Sequence, residues 1–255
     1  MMGSVMKAFR WGRTGRSGTR AVAGPARRRW LLDSSRCAAL LLAGPWLSSR
    51  AQGAKAAADA PVILVLGDSL SAEYGLPRGT GWVALLSQRL AERKIEAQVV
   101  NASISGDTTS GGVTRLGPLL KLHQPAIVII ELGANDALRG LPLKMTQANL
   151  ATLVRQARKA GAKVVLVGIQ VPPNYGQAYT RDFAAVFPAV AHSEGAALVP
   201  FLLAGVADAP NADDLFQADR IHPIAQAHPT ILANIWRVLE PLLKGLQKGP
   251  AAPRR

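Results

Sequence analysis

The 255-residue chain has a single cysteine, Cys37. One thiol excludes an internal disulfide framework, and the chain after it has neither a thiolate nucleophile nor a sulfur ligand for a metal. Long apolar runs are missing too. The longest run in the first fifth of the chain, Cys37 to Leu47, covers 11 residues, whereas a membrane-spanning helix needs roughly 20. No Gly-x-Ser-x-Gly elbow occurs, which argues against the α/β-hydrolase fold. Walker and Gly-x-Gly-x-x-Gly phosphate loops are absent, and no His/Asp cluster has metal-ligand spacing, so neither metal nor cofactor is expected. No internal repeat is visible.

Acidic residues are scarce where basic ones crowd. The formal charge is +14, yet residues 1–51 hold ten Lys/Arg against one acid, Asp33, and the remainder has a balance of only +5. Charge gathered in one terminal stretch marks an address or a tail, not a nucleic-acid-binding face. Arg27-Arg28-Arg29, then Trp30-Leu31-Leu32, the short apolar run and the small residues Ser49 and Ala51 resemble a secretory signal cleaved after Ala51 or Ala54. The Arg-Arg-Arg-Trp-Leu-Leu segment also resembles a twin-arginine signal. An uncleaved anchor or a plain basic arm are the alternatives. The expected organisation is a targeting segment over 1–54, a linker over 55–61, a folded domain over 62–245 and a disordered tail over 246–255. Such a chain is expected in the periplasm or outside the cell, as a monomer.

The body alternates strand and helix. Apolar runs predict strands at Val62–Leu66, Gln98–Asn101, Ala126–Leu132, Lys163–Val167 and Ala197–Phe201. Val62–Leu66 is continuous, without polar alternation, as in parallel sheets covered on both faces, and Ala126–Leu132 is the most continuous apolar run of the body. Helical spacing predicts helices near Trp82–Arg93, Val113–His123, Lys144–Ala160, Thr180–Glu194 and Ala225–Leu243. Leu150, Leu153, Val154 and Ala157 fall on one face of the third, and Ile231, Ile235, Val238, Leu239 and Leu242 on one face of the last. The expected fold is α/β: a three-layer, doubly wound parallel sheet of about five strands.

Ligands of open α/β sheets sit at the carboxyl ends of the strands. The first strand ends there in Gly67-Asp68-Ser69, the second leads to Gly106 and the third to Asn135. Ser69 is the candidate nucleophile; the competing reading is a turn whose Asp and Ser only cap backbone N–H groups. Acyl transfer through a serine also needs a base, an orienting group and donors for the developing oxyanion. Asp219-Arg220-Ile221-His222-Pro223 supplies the first two, with His222 as base and Asp219 orienting it. The Ser69 and Gly106 backbone N–H groups and the Asn135 side-chain amide are the candidate donors, Gly106 because no Cβ would block its amide. His228 is the second choice of base. His123 and His192 sit where a helix C-terminus favours a cation. Asp68 is expected to support the serine turn.

These blocks, Gly-Asp-Ser-Leu, a Gly in the second, Gly-x-Asn-Asp and Asp-x-x-His-Pro, resemble the SGNH/GDSL hydrolases from Val62 to about Leu243. Asn101-Ala-Ser-Ile-Ser-Gly-Asp-Thr, Glu131-Leu-Gly-Ala-Asn-Asp-Ala-Leu-Arg-Gly and Pro173-Asn-Tyr-Gly are similar to the bacterial thioesterase I, lysophospholipase L1 and arylesterase group. The resemblance implies a flavodoxin-like sheet and a triad of Ser69, His222 and Asp219. It also implies an oxyanion hole of Ser69, Gly106 and Asn135, acting on small ester, thioester or lysophospholipid substrates with transient contact to membrane lipid. A carbohydrate O-acetyl esterase and a non-catalytic anion-binding module are the alternatives. The chain departs from the pattern at Glu73 and Arg220, where glycine is common, and at Ala134. Glu73 and Arg220 are therefore expected near the cleft mouth. Tyr74, Leu138, Arg139, Pro173 and Tyr175 are candidates to contact substrate, with Leu138–Pro142 expected as a mobile flanking loop or a plain surface loop.

Overall fold

A sheet of five parallel strands, with no antiparallel member, carries the fold of the computed structural model, which describes residues 60–247. The expected targeting segment lies outside the described residues. Strand β1 (Val62–Gly67) and strand β3 (Ile127–Glu131) are adjacent at the centre of the sheet. Ile127, Val128, Ile129 and Ile130 have no exposed surface, as their unbroken apolar run requires. Cutting Ile129 back to alanine would cost about 2–5 kcal/mol.

The spatial order is β2-β1-β3-β4-β5, with β2 at Gln98–Asn101, β4 at Lys163–Val167 and β5 at Ala197–Val199. The chain moves outward from β1 to β2, then crosses back over β1 to β3 and continues in the opposite direction. That reversal puts a crevice between the carboxyl ends of β1 and β3, the switch point at which doubly wound sheets bind ligands.

Two groups of helices cover the sheet. Helix α1 (Trp82–Glu92) packs on α6 (His228–Gln247); α2 (Thr109–His123) packs on α4 (Leu143–Lys159), and α4 on α5 (Gln177–Glu194). Leu150, Leu153, Val154 and Ala157 are buried as predicted, as are Ile231, Ile235 and Leu239, while Val238 and Leu242 on the predicted face of the last helix are only half-buried against the core. Helix α2 starts four residues before the expected Val113, because Thr108 caps it by accepting the Gly111 N–H at 3.3 Å. Gly111 and Gly112 had hidden the helical period there. Helix α6 begins after a 3-10 turn, Ala225–Ala227, and runs to Gln247, so the expected tail cannot start at 246. Strand β5 is two residues shorter than expected. Among the described residues no helix is long and apolar enough to cross a membrane.

Candidate active site

At the end of β1 the backbone closes a tight turn. The Ser71 and Ala72 N–H groups donate to the Asp68 carbonyl at 3.3 and 3.0 Å, and Leu70 N–H donates to Asp68 Oδ1 at 3.0 Å. Asp68 is fully buried and supports the turn as expected. The turn holds Ser69 at the strand end with its Oγ 2.8 Å from His222 Nε2. On the other side of the ring, His222 Nδ1 lies 2.6 Å from Asp219 Oδ2. With Asp219 ionised, Nδ1 carries the hydrogen and Nε2 is left with a lone pair facing the serine hydroxyl.

Asp219 reaches this position by folding back on its own backbone. Its Oδ1 accepts the N–H groups of Ile221 and His222, both at 3.0 Å. The reversal puts Arg220 at φ 57°, left-handed backbone that glycine adopts more readily. Burial opposes charge on Asp219, but the His222 ring and the two N–H groups outweigh it and bring the carboxyl down to about 2. It is therefore ionised whenever the imidazole needs it.

Gln217 ties this loop to the serine loop. Its backbone N–H donates to the His222 carbonyl at 2.8 Å, and its side-chain amide donates to the Tyr74 carbonyl at 3.0 Å and the Pro223 carbonyl at 3.2 Å. A bridge between Phe216 and Pro223 closes the loop at its base. Nothing in the local sequence marked Gln217, since its partners lie 143 positions away and six away.

Ser69, Gly106 and Asn135 line one cleft of about 180 Å³ with Tyr74, Leu138, Ile221 and His222. Gly106 has φ 78°, and this is its requirement for glycine. Within the protein an added Cβ would meet only the Arg139 guanidinium at 3.6 Å, an ordinary contact. Asn135, in the short helix α3 (Ala134–Leu138), turns its amide nitrogen toward Asp68 Oδ2 at 3.0 Å and the Asp107 carbonyl at 2.9 Å. Two acceptors on the nitrogen fix which way the amide points. Asp136, next in line, is buried and accepts from the Thr109 N–H at 2.9 Å and the Thr109 hydroxyl at 2.5 Å, tying α3 to the start of α2.

The remaining candidates divide. Tyr74 and Leu138 line the cleft. Arg139 does so indirectly, donating from Nη2 to the Gly106 carbonyl at 2.7 Å. Glu73 does not face the cleft: its carboxylate turns to accept the Gly79 N–H at 3.1 Å and the Gly81 N–H at 2.7 Å. It is a brace for the loop ahead of α1, placed where it is because short N–H-rich turns attract a carboxylate. Tyr175, in the 3-10 turn Pro173–Tyr175, stacks on Tyr179 at 6.3 Å, and Tyr179 stacks on Phe183 at 6.2 Å, so its ring joins α5 instead of the cleft. Pro173 heads the same turn, and its side chain lies outside what the structure describes. The expected mobile loop is hydrogen-bonded: Arg139, Gly140 and Leu141 N–H groups donate to the carbonyls of Asn135, Ala137 and Asp136. His228 is no base. It is buried at the start of α6, its Nδ1 accepts the Trp82 N–H at 3.0 Å, and burial holds its ring toward the neutral form. His123 and His192 stand in the last turns of α2 and α5, as expected. Among the described residues no group of three or more His, Cys, Asp or Glu side chains could hold a metal ion.

Residues 65–229 match the model of the GDSL-like lipase/acylhydrolase family. The chain is 52% identical to esterase TesA of Pseudomonas aeruginosa over 186 residues, which cover 73% of this chain and 91% of that one. It is 40% identical to thioesterase 1/protease 1/lysophospholipase L1 of Escherichia coli K12, over 73% of this chain and 87% of that one. The crystal structure of the esterase EstA from Pseudoalteromonas sp., inhibited by monoethylphosphonate, superposes with a TM-score of 0.67 at 40% identity, covering 72% of this chain and 98% of that one.

Proposed function

Because this chain belongs to the GDSL-like lipase/acylhydrolase family and is a serine hydrolase acting on esters, we propose that Ser69, His222 and Asp219 carry its reaction and that Gly106 and Asn135 complete the oxyanion hole. The observation that carries this reading is the unbroken relay from Ser69 Oγ to His222 at 2.8 Å and from His222 to Asp219 at 2.6 Å.

Ser69 Oγ attacks the ester or thioester carbonyl as its proton passes to His222 Nε2. The carbonyl π electrons move onto oxygen, which the Ser69 and Gly106 N–H groups receive together with the Asn135 N–H that leaves the Asp107 carbonyl for it. Collapse of the intermediate expels the alkoxide or thiolate, and the imidazolium returns the proton to it. Water repeats the sequence on the acyl-serine: its proton goes to His222, the acid leaves, and Ser69 is regenerated. Asp219 stays ionised throughout and offsets the imidazolium.

The cleft rim favours acyl or aryl groups over sugars. Tyr74, Leu138 and Ile221 are large apolar residues, each with much of its surface exposed, and they stand at the cleft. A carbohydrate O-acetyl esterase would need hydrogen-bonding partners at those positions. Esters, thioesters or lysophospholipids with an apolar acyl or aryl portion are the proposed substrates. We further propose that residues 1–54 direct the protein to the periplasm or beyond, on the strength of their basic, short apolar and small-residue order.

The test is a series of p-nitrophenyl esters of increasing acyl length. A burst of p-nitrophenol followed by steady turnover, together with stoichiometric labelling of Ser69 by an organophosphonate, is the expected result. Labelling at another residue, or none, overturns the assignment.

A further inference from the structure

Directly beneath the nucleophile turn, two carboxyl groups share a space closed to water. Asp68 and Glu131, at the ends of neighbouring strands β1 and β3, are both 0% exposed. Gly67 makes room for them: a Cβ there would come within 2.9 Å of Glu131 Oε2 and 2.7 Å of Ser71 Oγ. Among the described residues neither carboxyl is ion-paired with a lysine or arginine. Two buried carboxylates side by side, without a cation, cannot both remain ionised.

Their hydrogen bonds decide which one carries the proton. Asp68 has a donor on each oxygen, the Leu70 N–H on Oδ1 and the Asn135 amide on Oδ2, both at 3.0 Å. Glu131 has its donors on Oε2 alone, the Ser71 hydroxyl at 2.7 Å and the Asp68 N–H at 3.4 Å. Its other oxygen, Oε1, is buried without a hydrogen-bond partner. The Ser71 hydroxyl is itself held by Trp82 Nε1, which donates to it at 3.2 Å, so it cannot turn to serve Oε1. Donors on both oxygens stabilise the anion of Asp68, whereas nothing donates to Glu131 Oε1 and a side-chain hydrogen bond to Asp68 favours the Glu131 acid.

We propose that Glu131 holds the proton of this pair as a neutral acid, which leaves Asp68 as the one buried anion behind Ser69 and makes Glu131 a positioning residue for the Asn135 amide. Asp68 then grips the Asn135 nitrogen through a charge-assisted bond and aims the amide at the oxyanion position. Ionised Glu131 would instead force the proton onto Asp68 and weaken that grip. Burial, with Asp68 beside it, drives the Glu131 carboxyl well above the usual carboxylate range. Burial also brings Asp68 up to about 6, against the Leu70 N–H and the nearby His222, which favour its charge, while Asp107 opposes it. These groups, from the loop before α6, the loop after β2 and the end of β3, are the titratable neighbours of the pair.

The inference rests on the triad reading above, but its decisive observation needs no turnover. Infrared spectra of the resting full-length protein at neutral pH are expected to show the C=O stretch of a protonated carboxylic acid, which Glu131→Gln removes. Absence of that band, or its survival in E131Q, overturns the proposal and leaves the triad untouched. In kinetics, Glu131→Leu is expected to lower kcat by roughly tenfold or more at unchanged KM, through misdirection of one oxyanion donor. E131Q, whose amide is neutral and offers N–H toward Asp68 and C=O toward Ser71, is expected to restore most of that loss. The wild-type kcat/KM should fall in acid as Asp68 takes up its proton, and E131Q should keep that acid limb in place. A limb displaced to lower pH in E131Q would mean that a negative neighbour had been removed, which also overturns the proposal.

Discussion

Tyr74 lies against the His222 imidazole with ring centroids 4.4 Å apart and planes inclined by 40°. The phenol ring is 51% exposed, so it stands between the imidazole and bulk water. Its π face favours the imidazolium formed during attack. Such a contact is worth about 0.5–1.5 kcal/mol, or roughly 2- to 12-fold in rate. Tyr74→Ala is expected to lower kcat/KM for a short p-nitrophenyl ester by that factor, and Tyr74→Phe to retain most of it. Equal rates in Y74A and the wild type would remove Tyr74 from any role at the imidazole.

Ser69→Ala leaves the turn's backbone hydrogen bonds in place and takes away the oxygen of the proposed nucleophile. Turnover is expected to drop by about 10⁴-fold or more, with melting temperature close to wild type. Steady-state assay and differential scanning calorimetry on the same sample separate loss of chemistry from loss of fold.

Asp219→Asn keeps the side chain's shape and removes its charge. The amide can present N–H to His222 Nδ1 and so select the wrong tautomer, at a cost of about 10⁴ in kcat where an analogous exchange is known. Stability should respond as well. A carboxyl held down to about 2 when folded, below its ordinary value near 3.8, stabilises the fold above the higher value and loses that contribution as pH falls through the lower one. D219N should therefore melt below the wild type at neutral pH, with the two curves converging in strong acid. Curves that diverge in acid would contradict the hydrogen bonds assigned to Asp219.

Asn135→Ala removes the side-chain donor of the oxyanion hole. A loss of about 10²- to 10³-fold in kcat is expected, with KM little altered, because the bond forms fully only in the transition state. A pure KM effect would make Asn135 a ground-state contact instead.

Glu73 sits at φ 59° and braces the Gly79 and Gly81 N–H groups. Glu73→Ala gives up those charge-assisted bonds and is expected to lower stability by about 1–3 kcal/mol in a urea titration. Its acyl-length preference should match the wild type. A changed preference at unchanged stability would return Glu73 to the substrate side.

Much of this was visible in the chain before any coordinates. The strands and inward helix faces announced themselves because buried parallel strands and amphipathic helices leave long, regular hydrophobic patterns. The Asp219–His222 unit was visible because its geometry is local, three residues folded on themselves. What stayed hidden was set by contacts distant in sequence or by backbone angles. Gln217 meets Tyr74 only after the sheet has formed. Glu131 meets the second carboxyl, Asp68, only once the two strands pair. Glu73 and Arg220 were placed at the cleft mouth because they stand where glycine is usual. The usual glycine reflects a left-handed turn, which both residues adopt, and says nothing about which way a side chain points.

The serine and the histidine that meet at 2.8 Å are 153 positions apart, one near the first strand and one just ahead of the last helix. Hydrolysis therefore cannot begin on a partly made or partly refolded chain, since the base arrives only with the final fifth of the polypeptide. The rate at which ester cleavage appears during refolding is a clock for the closing step of assembly, supplied by the enzyme itself.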